Sequence, residues 1–209
     1  MAENVTLDQI DWITFDCYGT LVQWYEVLLQ EIGAILAEHG AEGPGAAAIL
    51  DSFSAQGRRL TAERPHRLYR DILRIGFAAA FGEHGLTPSA DQIEAIASSP
   101  ARMGPHPEVP NALRQLRERY RLAIFTNSDD DLIAPTVARI GVPFDYVITA
   151  EQARAYKPSR QLFDYAYRTM GVTATKPRWR HCRCPTSTAC ATCSTRSRRS
   201  ARRWPGGCR

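Results

Sequence analysis

Three short apolar runs, each ending in polar residues and separated by segments of helical period, constrain this chain most. The first is Trp12, Ile13, Thr14 and Phe15, which runs into Asp16, Cys17, Tyr18 and Gly19. The second is Leu122, Ala123, Ile124 and Phe125, stopped by Thr126, Asn127 and Ser128. The third spans Phe144 to Ile148. Runs of this length, bounded by turn residues, read as buried strands. A helical pattern near 110–119 precedes the second run, and another over about 131–140 stops at Gly141. After the third run, Lys157 and Pro158 lead into a helix through Leu162, Phe163, Ala166 and Met170, ended by Gly171. Strand–helix alternation predicts a parallel α/β sheet.

Between the first and second strands the period changes. Trp24, Val27, Leu28, Ile32, Ile35 and Leu36 fall on one helical face, with Gly40 as a stop. A weaker helix follows through Leu50 and Phe53. A third carries Tyr69, Ile72, Leu73, Gly76, Phe77, Ala80 and Phe81. Thr87 and Pro88 open a fourth, through Ile93 and Ile96. Gly104, Pro105, His106 and Pro107 then mark a boundary. The expected organisation is a core domain from residues 1–21 and 104–175, a helical insert over 22–103, and a tail over 176–209.

The tail differs in kind. It holds ten of the 26 basic residues, none of the 22 acidic ones, and no Leu, Ile, Val, Met, Phe or Tyr. The formal charge of +4 therefore hides a body with 16 basic and 22 acidic groups, a net of −6. That excludes a chain basic throughout and drawn to nucleic acid along its whole surface. With so little to bury, the tail by itself is expected to be disordered. His181, Cys182, Cys184, Cys190 and Cys193 could hold zinc, and the scattered arginines could form a nucleic-acid arm. The reading preferred is a change of reading frame near residue 175, because shifted GC-rich codons yield this composition. Cys17 is the one cysteine of the body, which points to a reduced compartment without a disulfide framework. An acidic N-terminus and the lack of any apolar run near 20 residues give the expectation of a cytoplasmic protein with no membrane partner.

In parallel α/β sheets ligands bind at the carboxyl ends of the strands. Asp16 ends the first strand, Thr126 and Asn127 the second, and the loop after the third leads to Lys157. A carboxylate, a polar cradle and an ammonium converging there would make a covalent site. Each alone has a plainer reading as a cap, a turn or a surface group. Lys157, however, is the one lysine of the body in a chain otherwise using arginine, and Lys suits a compact charge beside a carboxylate.

Phe15 to Leu21, Phe125 to Asn127, and Tyr156 to Pro158 resemble the first three motifs of the haloacid dehalogenase (HAD) superfamily, and the insert resembles its cap domain. The resemblance covers about residues 10–174. It implies a HAD-like, Rossmann-like parallel sheet with an inserted α-helical cap, with C-terminal strands missing if the tail is foreign. It implies Asp16 as nucleophile, Lys157 as the charge that steadies it, and Tyr18, Thr20, Thr126 and Asn127 as substrate-binding residues. Superfamily phosphatases carry a second Asp two residues after the first; here that position is Tyr18. A halide leaves without a proton, whereas an alkoxide needs one.

The likeness is thus strongest to the 2-haloacid dehalogenases. It implies hydrolysis of a short 2-haloalkanoic acid through an aspartyl ester, without metal or other cofactor, the cap excluding water from the first step. The alternatives are a Mg2+-dependent phosphatase of a small metabolite, or an inactive truncated member of the superfamily. A small-molecule substrate is the expected partner, and a homodimer is compatible with the resemblance. The sequence departs from those dehalogenases in three places. Ile49 to Phe53 stands where a halide-binding arginine is common, with Arg58 and Arg59 nearest; Phe163 replaces a tyrosine; and no fourth, acidic motif follows residue 175.

Overall fold

The computed structural model describes residues 10–40, 45–172 and 179–182. Its sheet has four parallel strands, β1 (Trp12–Phe15), β2 (Arg121–Thr126), β3 (Tyr146–Thr149) and β4 (Trp179–Cys182), in the order β3-β2-β1-β4. Trp12 is in register with Arg121 on one side and Trp179 on the other. The segment from β1 to β2 forms α1 (Trp24–Glu38), α2 (Ala46–Ala62), α3 (Tyr69–Glu83), α4 (Ala90–Ser98) and a 3-10 turn (Ser99–Arg102), then α5 (Val109–Arg117). Helix α6 (Asp130–Ile140) follows β2, and α7 (Ala150–Ala153) and α8 (Arg160–Met170) follow β3.

Alternation along β2 sorts the core into two layers. Leu122 and Ile124 pack with Val109 and Leu113 of α5 and Leu132 and Ile133 of α6. Ala123 and Phe125 pack on the other face with Leu162, Ala166 and Met170 of α8. Both faces of β2 are therefore buried, as a central parallel strand requires. In the insert, α2 and α3 meet through the stacked rings of Phe53 and Phe77, 3.9 Å apart. Gly76 makes that approach feasible: a Cβ there would lie 2.9 Å from the Phe53 ring. This close packing accounts for a residue that is otherwise poor in a helix interior.

The strand–helix order follows the sequence pattern, with four differences. Helix α4 begins after Ser89 rather than at Pro88, because Ser89 and Gln92 form a reciprocal capping box. β3 starts two residues later than the apolar run, because the Asp145 carboxylate accepts the Leu122 N–H at 3.0 Å and binds Arg117 and Arg121. Helix α7 is one turn long, too short for a periodic signal. The fourth difference is β4, which comes from a segment expected to lack structure. Strand pairing is made by main-chain groups, so a strand can join the edge of β1 whatever its residue types. The zinc, nucleic-acid and frame-shift readings otherwise concern residues outside those described. Among the described residues no helix is long and apolar enough to cross a membrane.

Candidate active site

The chain leaves β1 through a tight turn. The Cys17 carbonyl accepts the N–H groups of Thr20, Leu21 and Val22 at 3.1, 2.8 and 3.2 Å. Gly19 holds φ +77°, where a side chain would be strained. The turn presents the Cys17 N–H to its neighbour Asp16, at 2.9 Å from Oδ1. Lys157 Nζ donates to the same Oδ1 at 2.6 Å and to the Phe125 carbonyl at 2.7 Å. Both contacts of the carboxylate fall on Oδ1. The Lys157 side chain is 11% exposed and that of Asp16 33%, so the acid faces open space and the cation is held from behind. Burial, then the Asp16 charge, pushes the Cys17 thiol far above its ordinary range despite the opposing pull of Lys157. It is an inert core thiol.

Asn127 fixes Lys157 through the main chain. Its Oδ1 accepts the Lys157 N–H at 2.6 Å, and its Nδ2 donates to the Lys157 carbonyl at 3.4 Å. The end of β2 thereby sets the position of a residue thirty further along. The Thr126 hydroxyl is buried without a partner among the described residues. A cavity of about 230 Å3 is lined by Asp16, Tyr18, Trp24, Tyr69, Thr126, Asn127 and Lys157. This is below the usual several hundred Å3 of a drug-sized site and suits a substrate of few atoms. A broader, shallower cleft of about 500 Å3 lies at the start of β1 and β2, among Asp11, Trp12 and Arg117 to Arg121. That is the end of the sheet opposite the one at which such folds bind ligands.

Five of the six residues expected at the site therefore share one cavity. Thr20 does not: it is buried in the turn and absent from the cavity wall, its N–H spent on the Cys17 carbonyl. Tyr18 presents its ring, while its hydroxyl donates to the Leu132 carbonyl at 3.1 Å and lies 3.3 Å from Thr136 Oγ1. Burial is the main cause holding that phenol well above its usual range. Arg58, Arg59 and Phe163 are not on the wall; Arg59 pairs with Glu63 at 2.7 Å, and Phe163 packs against Phe125 and Tyr167.

Residues 10–176 match the model of the haloacid dehalogenase-like hydrolases. The chain belongs to this hydrolase family. It is 23% identical over 184 residues to the (S)-2-haloacid dehalogenase of Pseudomonas sp. (strain YL), covering 79% of this chain and 72% of that one. It is 29% identical over 104 residues to the (S)-2-haloacid dehalogenase of Xanthobacter autotrophicus, spanning 49% of this chain and 41% of that relative. In fold it is similar to the L-2-haloacid dehalogenase PA0810, with a TM-score of 0.72 and 23% identity over 88% of this chain and 81% of the other. A structure of the Xanthobacter autotrophicus L-2-haloacid dehalogenase with chloropropionic acid covalently bound gives a TM-score of 0.66 at 22% identity, over 78% and 66% of the two chains. Within this hydrolase fold, the sequence pattern alone does not reach two wall residues, Trp24 and Tyr69. Each opens a helix of the insert, α1 and α3.

Proposed function

We propose that this hydrolase dehalogenates a short 2-haloalkanoic acid through an ester on Asp16, with α1 to α4 acting as the cap. One observation carries the reading: Lys157 Nζ and the Cys17 N–H converge on the same oxygen of Asp16. That leaves Oδ2 to attack C2 of the substrate, while the carbon–halogen electron pair departs as halide. The ester carbonyl oxygen is then Oδ1. Attack of water on Asp16 Cγ puts negative charge on Oδ1, where two donors already wait; on collapse the Cγ–Oδ2 bond breaks, one proton of the water passes to the departing alkoxide oxygen and the other to solvent, and the 2-hydroxy acid leaves Asp16 as a carboxylate. The buried Thr126 hydroxyl, which has no partner among the described residues, is suited to the substrate carboxylate.

Tyr18 supports the halide reading. The position that would supply a leaving-group acid carries instead a phenol whose proton is committed to Leu132. We read the site as working without metal. Among the described residues Asp16 is the single carboxylate on the cavity wall, and it is paired with Lys157; Mg2+ asks for several oxygen ligands in an octahedron. The likeness to haloacid dehalogenases supports the substrate class.

The test is chloride release from 2-chloropropionate by the purified chain, with Asp16→Ala as control and p-nitrophenyl phosphate plus Mg2+ as the rival substrate. Chloride release that falls by about a thousandfold or more in the variant is expected. Phosphate release with Mg2+ and no chloride would assign the chain to phosphoryl transfer. Equal rates for both proteins on both substrates would mean an inactive scaffold.

A further inference from the structure

Helix α3 starts at Tyr69, and the residue at its N-cap position is Leu68, whose side chain has no group to accept an N–H. The acceptor comes from the loop that follows β2. Asp129 Oδ1 accepts the Tyr69 N–H at 2.7 Å, and Oδ2 accepts the Arg70 N–H at 2.8 Å. Asp129 is 2% exposed. A buried carboxylate is costly unless its oxygens are bonded, and the positive end of a helix is a favourable partner.

Two more residues, Tyr156 and Asp131, hold the same short segment of the insert. The Tyr156 hydroxyl donates to the Arg67 carbonyl at 2.7 Å, and its ring stacks on His66 at 4.8 Å. The Arg70 guanidinium pairs with Asp131. The two main-chain grips are each a step from a site residue: Asp129 follows Asn127 by two positions, and Tyr156 immediately precedes Lys157. Tyr69, which Asp129 holds, forms part of the cavity wall.

We infer that Asp129 is a positioning residue that closes the insert over the cavity by capping α3 from the core domain. Lifting the insert breaks both N–H bonds together and strips a buried carboxylate of its partners, so closure and the cap bond are one event. The same loop carries Asn127 and continues from Thr126 at the end of β2, so the closed insert and the aligned site share one anchor. The assignment of the held wall to substrate binding rests on the proposed function; the latch itself does not.

Hydrogen exchange on the full chain, read by mass spectrometry, tests the latch without substrate. In Asp129→Ala, exchange over residues 66–72 is expected to rise about tenfold, some 1.4 kcal/mol, in the range of a lost N-cap. Exchange in β2, residues 121–126, is expected to stay unchanged. Unchanged exchange at 66–72 overturns the inference. If the alanine variant does not fold, Asp129→Asn decides: it keeps one acceptor oxygen, so a smaller local rise at 66–72 supports the latch, and either no rise or an equal rise in β2 overturns it. With 2-chloropropionate, Asp129→Ala is expected to raise KM about tenfold while kcat stays within about threefold, because closure is taxed at binding. A fall in kcat at constant KM overturns the positioning role. A wild-type protein that releases no halide removes the substrate assignment and leaves the exchange result to judge the latch.

Discussion

Replacing Lys157 with Met should stall the reaction after its first step. Nζ lies 2.6 Å from Asp16 Oδ1 on a side chain 11% exposed, so the charge acts in a site largely withdrawn from water. During attack by Asp16 the carboxylate loses its charge to the departing halide, and there the ammonium favours the reactant. During hydrolysis charge returns to Oδ1, and there it favours the transition state. Removing one such donor typically costs about 10² to 10³ in rate, roughly 2.7–4 kcal/mol. The Cys17 N–H remains at 2.9 Å, which places the expected loss within that range rather than beyond it. The bond from Lys157 to the Phe125 carbonyl is also lost, at about 1.5–3 kcal/mol for a bond from a charged donor. Rapid quenching with intact-mass analysis, alongside chloride measurement, should show a burst of chloride, a chain carrying one propionate unit, and a slow steady phase. A variant that hydrolyses at the wild-type rate, or that loses the burst with no ester formed, would refute the assignment of Lys157 to the second step.

Three further outcomes follow from the packing and charges. Gly76→Ala should destabilise the fold by about 1–3 kcal/mol, since the new Cβ meets the Phe53 ring at 2.9 Å; thermal unfolding measures it, and an unchanged midpoint contradicts the close packing of α2 and α3. Tyr18→Phe should lower stability by about 0.5–1.5 kcal/mol and leave dehalogenation within about threefold, because the hydroxyl is bonded to Leu132 and away from the chemistry; a collapse of activity contradicts that. Asp145 has its carboxyl lowered: burial works against this, but the Leu122 N–H, Arg121 and Arg117 outweigh it. A depressed folded value means stability present above the unfolded value near pH 4 and lost as pH falls through the folded one. The stability gap between wild type and Asp145→Asn should therefore shrink on acidification below about pH 4, and a gap constant with pH contradicts the pairing.

What the sequence made legible was whatever lies at the end of a strand. Asp16, Thr126 and Asn127 could be placed because a parallel sheet delivers such positions to one edge, and Lys157 stood out as the one lysine of the body. Distant closure was not legible. Tyr69 reaches the cavity because Asp129, sixty residues later, caps its helix, and no local pattern records an acceptor so far away. Asn127 was expected to face the reacting group; it lines the cavity, but its amide is also spent on the Lys157 main chain. Thr20 was expected at the site from its place in the motif, yet the hydrogen-bonded turn around Cys17 keeps it in the core. The Asp145 side chain delayed β3 by two residues through a bond that hydropathy does not encode.

Strand β4 separates architecture from chemistry. With β2 on one side and β4 on the other, β1 has neighbours along both edges, so the peptide that delivers Asp16 is braced laterally from left and right. That brace is blind to side-chain identity, because any peptide that can extend offers the same amides and carbonyls. A segment of foreign composition can thus shore up the strand beneath Asp16 while contributing none of the acidic groups the family places beyond it. Geometry at Asp16 and catalytic completeness are then independent properties of this chain, to be scored by separate measurements.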